Sequence, residues 1–506
     1  MKKISIRLLL LLLGVSAGMV SCIHDDTTGF VKKISEITIT KVSGEGVDED
    51  KKYAVAEVMV PVRIEAEAEQ TLEGYELSYE WKTGFIKEYD REGKPQMDSL
   101  GLISESKILE HSFNRVGEFL VRLRVYNEFG STFYYMTVEV KAGMERGLMV
   151  LSSDDAGKGS LTFCSVERGA NELLQAKAED FEPDAWARIN PDYELVGARD
   201  MVVMDFGNYK NSVFVLSASR QCMYELDQNS LLVLRKIDLT ILQKDIKPVA
   251  LVPCRMNMAV MTEAGQVVCS ELGQFGLLDD HWGTKMKGIK LYQGVTMLDG
   301  GPISIPIVAD NENERVEVYG NINKTPVNSG SDFQGRRIVN FALVGFPDSR
   351  SLLVVSEPRN NPDKVWVTIY QPMFNVDYYD EMFKKESGYQ ENEYSLSAPL
   401  TLDMQSDMVY NRQYNVMFYN RGNTVYRWRY TSGFSDSHQT SLPGNGEITC
   451  MAESPDGEYL YVGAYDAAAA GLKGSVYIYT TKDLQLVKSF IGITDKPLKL
   501  FYKDKN

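Results

Sequence analysis

From about residue 146 to the end of the chain, one module recurs: an apolar run, a polar turn and a second, alternating run. This recurrence limits the fold more than any other feature. The clearest copy reads Ser454-Pro455-Asp456-Gly457-Glu458-Tyr459-Leu460-Tyr461-Val462-Gly463, then a loop, then Gly474-Ser475-Val476-Tyr477-Ile478-Tyr479. Weaker copies pair residues 148–151 with 161–164, 213–216 with 223–226, 258–261 with 267–269, 303–308 with 316–319, 352–355 with 365–370, and 416–419 with 425–430. Seven copies in this region give roughly 51 residues each, close to the blade length of a β-propeller. With Leu148, Val213, Ala259, Ile305, Leu353, Val416 and Leu460 as markers, the intervals are 65, 46, 46, 48, 63 and 44. The two long intervals predict insertions near 170–200 and 373–400. A four-stranded blade cannot bury both of its own faces, so ring stacking must supply the neighbours. The run Lys496-Pro497-Leu498-Lys499-Leu500-Phe501-Tyr502 is placed to close such a ring. The expected class is all-β, with a propeller of about seven blades over 146–506. Six or eight blades, or two stacked β-sandwiches, are the architectural alternatives.

Residues 30–142 carry a different pattern. Ile37-Thr38-Ile39-Thr40 alternates, as do residues 58–66, and Leu77, Tyr79 and Trp81 share one face of a further strand. Gly117 to Gly130 reads as a long alternating strand ending in a turn, and Ser131 to Lys141 as its return. Several short strands about one tryptophan suit an immunoglobulin-like β-sandwich. The Tyr-x-Trp strand and the Gly-x-Phe-x-Val-x-Leu-x-Val-x-Asn-x-x-Gly pattern resemble a polycystic-kidney-disease (PKD) type domain. Trp81 is followed by Lys82-Thr83-Gly84 where that family has Asp-Phe-Gly-Asp-Gly, which points to its divergent PKD-like group and transfers no binding residues. The run Gly147-Leu148-Met149-Val150-Leu151-Ser152 opens the second unit as it does in the PKD-like lipoproteins of Bacteroidota.

The N-terminus fits that resemblance. Lys2, Lys3 and Arg7 precede an apolar stretch of about a dozen positions, too short to span a bilayer comfortably. Met19-Val20-Ser21-Cys22 resembles a bacterial lipobox, with Met19 where the family has Leu. It implies a signal peptide over 1–21, lipidation of Cys22 and a tether over 22–29. Acyl chains on Cys22 would anchor the protein to outer-membrane lipid, since each buried methylene adds about 0.8 kcal/mol. His24-Asp25-Asp26 resembles a surface-export signal, so the chain is expected to face the cell exterior.

Composition then narrows the chemistry. With 54 basic and 70 acidic residues the formal charge is −16, which argues against a sequence-independent grip on nucleic-acid phosphates. The four histidines share no metal spacing. Once Cys22 is set aside, Cys164, Cys222, Cys254, Cys269 and Cys450 form no CxxC pair and read as buried thiols. Past the leader, residues 1–21, the sequence has no nucleophile elbow, zinc-protease helix or phosphate-binding loop. Asp154-Asp155 and Asp279-Asp280 read as solvated turns, and Asp310-Asn311-Glu312-Asn313-Glu314 lacks the glycine and ligand spacing of a calcium loop. No cofactor or metal is expected.

Aromatic residues in expected loops are the candidate ligand contacts, because flat rings can cover the C–H faces of sugars. They are Tyr378 and Tyr379, with Phe383, Tyr389 and Tyr394 following, then Trp282 in Asp280-His281-Trp282-Gly283, and Trp186. The opposing expectation is that these rings pack their own insertions onto the propeller rim.

The PKD-like resemblance implies a non-catalytic accessory lipoprotein of a starch-utilisation-like uptake system, beside a TonB-dependent transporter and its lipoprotein lid. The ligand would be a glycan or a peptide, with glycan slightly favoured. Two alternatives stay open: a protein-interaction scaffold docking to the transporter, and a propeller glycoside hydrolase or lyase.

Overall fold

The computed structural model describes the chain except residues 1–33, 205–211, 242–243, 255–256, 264–266, 272–277, 280–290, 299–300, 319–326, 347–348, 371–382, 384, 386–387, 398, 405, 432–438 and 505–506. Cys22 lies outside the described residues. No described helix is long and apolar enough to cross a membrane. The chain divides into two compact units, one up to Ala56 and over Val60–Val140, the other formed by Glu57–Met59 and Lys141 onward.

The first unit is built from two antiparallel sheets. One joins Ile37–Gly44, Pro61–Gln70 and Ile108–Ser112. The other, of seven strands, centres on Ser78–Tyr89, Gly117–Tyr126 and Ser131–Lys141. The last two pair from Ser131 opposite Tyr126 to Val140 opposite Gly117. Inward positions on both sheets, among them Val42, Ile64, Leu109, Val121, Leu123 and Val138, are buried around Trp81. The indole N–H of Trp81 donates to the Ser106 carbonyl at 2.9 Å, so its one polar atom is satisfied in the core. The alternation expected over 58–66 is interrupted. Met59 takes φ +61°, and the strand begins only at Pro61.

The second unit holds seven sheets among the described residues. Six have four strands in sequential antiparallel order. They begin at Ala198–Met204 (blade one), Pro248–Cys254 (two), Leu291–Leu298 (three), Arg336–Phe346 (four), Met408–Asn411 (five) and Glu447–Glu453 (six). The seventh combines the C-terminal strand Lys496–Lys503 with Gly147–Ser153 and Gly159–Ser165. Every marker residue of the repeat falls in the second strand of its blade, and every paired run forms the second and third strands. First strands of successive blades touch one another, and the first strand of blade six touches Lys496–Lys503, which itself touches blade one. The ring is therefore closed by the chain's own end: Leu500 opposes Val150 and Phe501 opposes Met149. This is a seven-bladed β-propeller, and the closing strand is where the sequence placed it.

Two predicted insertions resolve differently. The first holds the short helix Ala185–Ile189 and bridges Glu182 to Phe163, covering the edge where a fourth strand would stand. The second is partly sheet: Gln390–Ser395 is the outer strand of blade four.

Packing explains the closed ring. Apolar clusters form between adjacent blades, for example Leu148, Val150 and Cys164 with Tyr461, Val476 and Ile478 across the closure. Polar links add to these around the inner strands. Register shifts in blades one, two, four and six leave the next residue's N–H out of the ladder. In blade one, Asp200 accepts from its neighbour Met201 at 2.9 Å and from Leu251 of blade two at 2.8 Å. Asp407 of blade five likewise accepts from Met451 of blade six at 3.0 Å. Asn340 of blade four donates to the carbonyls of Asp403 and Ser406 at 2.8 and 2.9 Å.

Candidate functional site

A cavity of about 590 Å³ opens at the junction of blades five and six. Its walls are the 443–446 connection into blade six and the 466–473 connection between that blade's second and third strands. Both connections leave the same end of an antiparallel blade, so they meet over one mouth. Gly444, Gly446, Ala469 and Ala470 keep the walls short, and Leu472 and Ile491 supply apolar surface. Asn445, Asp466, Lys473, Ser475 and Tyr477 supply polar groups. The volume and mixed lining suit a small polar ligand.

Local hydrogen bonds fix the loop. Asp466 caps it, its carboxylate accepting from the Ala468 N–H at 2.9 Å while its own N–H donates to the Lys473 carbonyl at 3.0 Å. The Ser475 hydroxyl accepts from Gly492 at 3.1 Å. Burial, then the Asp466 charge, pushes the Tyr477 phenol up, so it stays a neutral hydrogen-bonding group at neutral pH.

Beside the mouth, charged groups gather where blades six and seven meet. Asp155 accepts from the Tyr465 hydroxyl at 2.6 Å and from Lys473 at 2.7 Å, and these bonds hold its carboxyl below the usual range. Lys158 pairs with Asp184 at 2.9 Å. Asp495 is shifted upward by burial and then by the negative charges of Asp154 and Asp184. Asp154 itself is turn chemistry, accepting from the N–H groups of Ala156 and Lys158. Asp310 acts in the same way, accepting from Glu312 and Asn313 at 3.0 Å, so the acid-rich run 310–314 is a capped turn. Among the described residues no cluster of three or more His, Cys, Asp or Glu side chains has metal-holding geometry.

The sequence-predicted contacts fare as follows. Trp186 is corrected: only 3% exposed, it packs against Tyr224 and donates its indole N–H to the Tyr193 carbonyl at 2.7 Å. The helix that carries it, capped by Asp184, turns its apolar side into the core between blades seven and one, leaving no ring face for a ligand. Tyr378, Tyr379 and Trp282 lie outside the described residues. The strands flanking 280–290 are the fourth of one blade and the first of the next, whereas those flanking 371–389 are the third and fourth of one blade. The described rings of the second segment, Phe383 and Tyr389, pack on Tyr370 at 5.1 and 5.5 Å. Sequence reasoning missed the cavity because glycine and alanine line it. The only available signal was the run Ala467-Ala468-Ala469-Ala470-Gly471 between two strong strands.

No family model matches the chain, and no curated protein matches its sequence. Solved structures are similar in fold. A quinonprotein alcohol dehydrogenase-like protein from Bacteroides thetaiotaomicron aligns over 92% of this chain and 99% of its own, at 12% identity and a TM-score of 0.52. A dihydro-heme d1 dehydrogenase, NirN, aligns over 75% of this chain and 72% of its own, at 9% identity and a TM-score of 0.39. The first likeness is one of fold alone.

Proposed function

We propose that this chain is a non-catalytic, ligand-binding lipoprotein of the outer membrane, anchored through Cys22 and facing outward as an accessory of a nutrient-uptake system. The observation that carries ligand binding is the cavity of about 590 Å³, built on rigid strands and lined by neutral hydrogen-bonding groups, one acid and one amine, each held in loop contacts, beside apolar surface. That chemistry fits a sugar unit of a glycan better than an extended peptide, which would seek an open strand edge. The membrane reading rests on the lipobox-like Met19-Val20-Ser21-Cys22 and on the resemblance to PKD-like lipoproteins. A TonB-dependent transporter with its lipoprotein lid is the corresponding partner.

The test is a glycan and peptide array probed with the chain from residue 23 onward, repeated with Ala470→Trp. Ala470 lines the cavity and is exposed, so an indole there fills the space without entering the core. Glycan signals that Ala470→Trp abolishes support the reading. Signals that survive the variant, or appear only with peptides, overturn it.

One observation favours a second reading, a glycoside hydrolase. Asp495, raised by burial and neighbouring carboxylates, lies on the same loop face as Asp154, Asp155 and Asp184, and glycosidases employ such unequal acid pairs. Release of reducing sugar from a bound glycan, lost in Asp495→Asn, would establish it.

A further inference from the structure

In the first unit, the outer face of the seven-stranded sheet presents an ordered set of rings and cations. Phe133 stands opposite Arg124 and Tyr135 opposite Arg122. On the next strand Glu80 opposes Arg124 and Lys82 opposes Arg122, and beyond it Leu102 opposes Lys82. Cross-strand partners share a face, so these side chains form one surface. Phe133 and Tyr135 are 46% and 47% exposed, with near-parallel rings 6.3 Å apart. Soluble sheets usually place polar side chains at such solvent-facing positions.

The charges around the two rings do not balance. Glu80 is shared by Arg122 at 3.0 Å and Lys82 at 3.3 Å. Arg124 has no carboxylate within ion-pair distance among the described residues, and its guanidinium rests 4.5 Å from the Tyr126 ring. The Nε groups of Arg122 and Arg124 are both buried without an acceptor. Around the two rings three cations thus face one carboxylate, while Glu118 and Glu139 oppose each other further along the same face, in a chain whose formal charge is −16. At the rim, Glu118 and Glu139 take the hydroxyls of Tyr89 and Tyr53.

We infer that this face is a second binding surface, and that its ligand is an acidic polysaccharide. The rings of Phe133 and Tyr135 cover the C–H faces of sugar residues. Arg124, with Arg122 and Lys82, takes the carboxylate or sulfate groups that the polymer repeats. A folded protein partner fits less well, because stable interfaces bury about 800 Å² per side around a continuous apolar centre. Here the exposed apolar groups, Phe133, Tyr135 and Leu102 with Tyr89 at the rim, are separated by charge. A flexible anionic chain needs no such centre, and the surrounding negative charge confines it to this spot.

The experiment is affinity electrophoresis of the chain from residue 23 onward in gels containing polygalacturonate, alginate or chondroitin sulfate, with dextran and galactan as neutral controls. Wild type is expected to be retarded by at least one acidic polymer, less so as salt rises, and not by the neutral ones. Arg124→Gln, and Phe133→Ala combined with Tyr135→Ala, should each weaken retardation about tenfold. Ala470→Trp should leave it unchanged, which separates this surface from the cavity. Arg124→Gln alters one half-buried head group and keeps the test open if the aromatic pair proves structural by circular dichroism. Absence of retardation, equal retardation by neutral polymers, or retardation of a folded Arg124→Gln variant equal to wild type overturns the inference. Concentration-dependent sedimentation that the aromatic variants abolish would give the face to a second copy of the chain, and would also overturn it.

Discussion

Glu453 ends the first strand of blade six with its carboxyl pushed up to about 7, because burial outweighs the hydrogen bond it accepts from Asn411 Nδ2. A carboxyl whose folded pKa exceeds its ordinary 4.5 binds its proton more tightly in the native state. Its contribution to stability is complete below pH 4.5 and is lost as pH rises through about 7. The loss is on the order of 2 kcal/mol once partial solvent access is allowed for. Glu453→Gln keeps an acceptor for Asn411 and carries no charge. Its urea midpoint should match wild type near pH 4 and exceed it at pH 8, and a difference that does not grow with pH would refute the assignment. Burial acts on the thiols as well, pushing Cys164 and Cys450 up to about 12. Native protein at pH 8 should therefore leave both unalkylated by iodoacetamide, while protein in urea reacts fully. Peptide mass spectrometry reads the two outcomes, and native labelling at the rate of a free thiol would contradict the burial. The apolar runs containing these cysteines had already marked them as small hydrophobes.

Among elements, what was legible followed burial. In the four-stranded blades the second and third strands lie in the middle of a sheet that is covered on both faces, so they read as continuous apolar runs such as Ser212–Ser217 and Gly474–Thr480. Outer strands carry no such signal. Gln390–Ser395 is Gln-Glu-Asn-Glu-Tyr-Ser and mostly exposed, and it was expected within an insertion. Leu278–Asp279 and Val327–Asn328 are two residues each, too short for any period to show. The closing strand is the informative exception: it is terminal yet alternates, because Leu500 and Tyr502 enter the core shared with blade six. Its removal gives a direct test. A chain ending at Asp495 leaves Gly147–Ser153 without its inner partner and opens the ring, so the cooperative thermal transition of the propeller should disappear. Limited proteolysis should then release fragments from blades six and seven first. A truncated chain that melts as wild type does would mean that the apolar clusters alone hold the ring.

For the whole molecule, a ring of separate sheets must fix how each blade meets the next, and the inner-strand carboxylates bear on that. Neither these links nor the cavity could be read from the sequence. Each depends on residues about 50 positions apart meeting at a register shift or a loop junction, and a lone aspartate in an apolar strand has no periodic signature. Asp200 tests the arrangement most directly. It is 5% exposed, satisfies the N–H groups of Met201 and Leu251, and lies 3.5 Å from Lys499 of the closing strand. The charges of Asp200 and Asp407 hold the Lys499 ammonium above the usual lysine range. Asp200→Ala strands two buried donors and removes an ion-pair partner, so a loss of about 3–5 kcal/mol in urea unfolding is expected. Asp200→Asn keeps one carbonyl acceptor and should cost less, about 1–2 kcal/mol. The Lys499 side chain is 46% exposed, so its screened attraction adds little, and Lys499→Met should couple to Asp200→Ala by under about 1 kcal/mol in a double-mutant cycle. A coupling near the whole Asp200→Ala effect would instead make the lysine, rather than the backbone donors, the partner that locks blade seven to blade one.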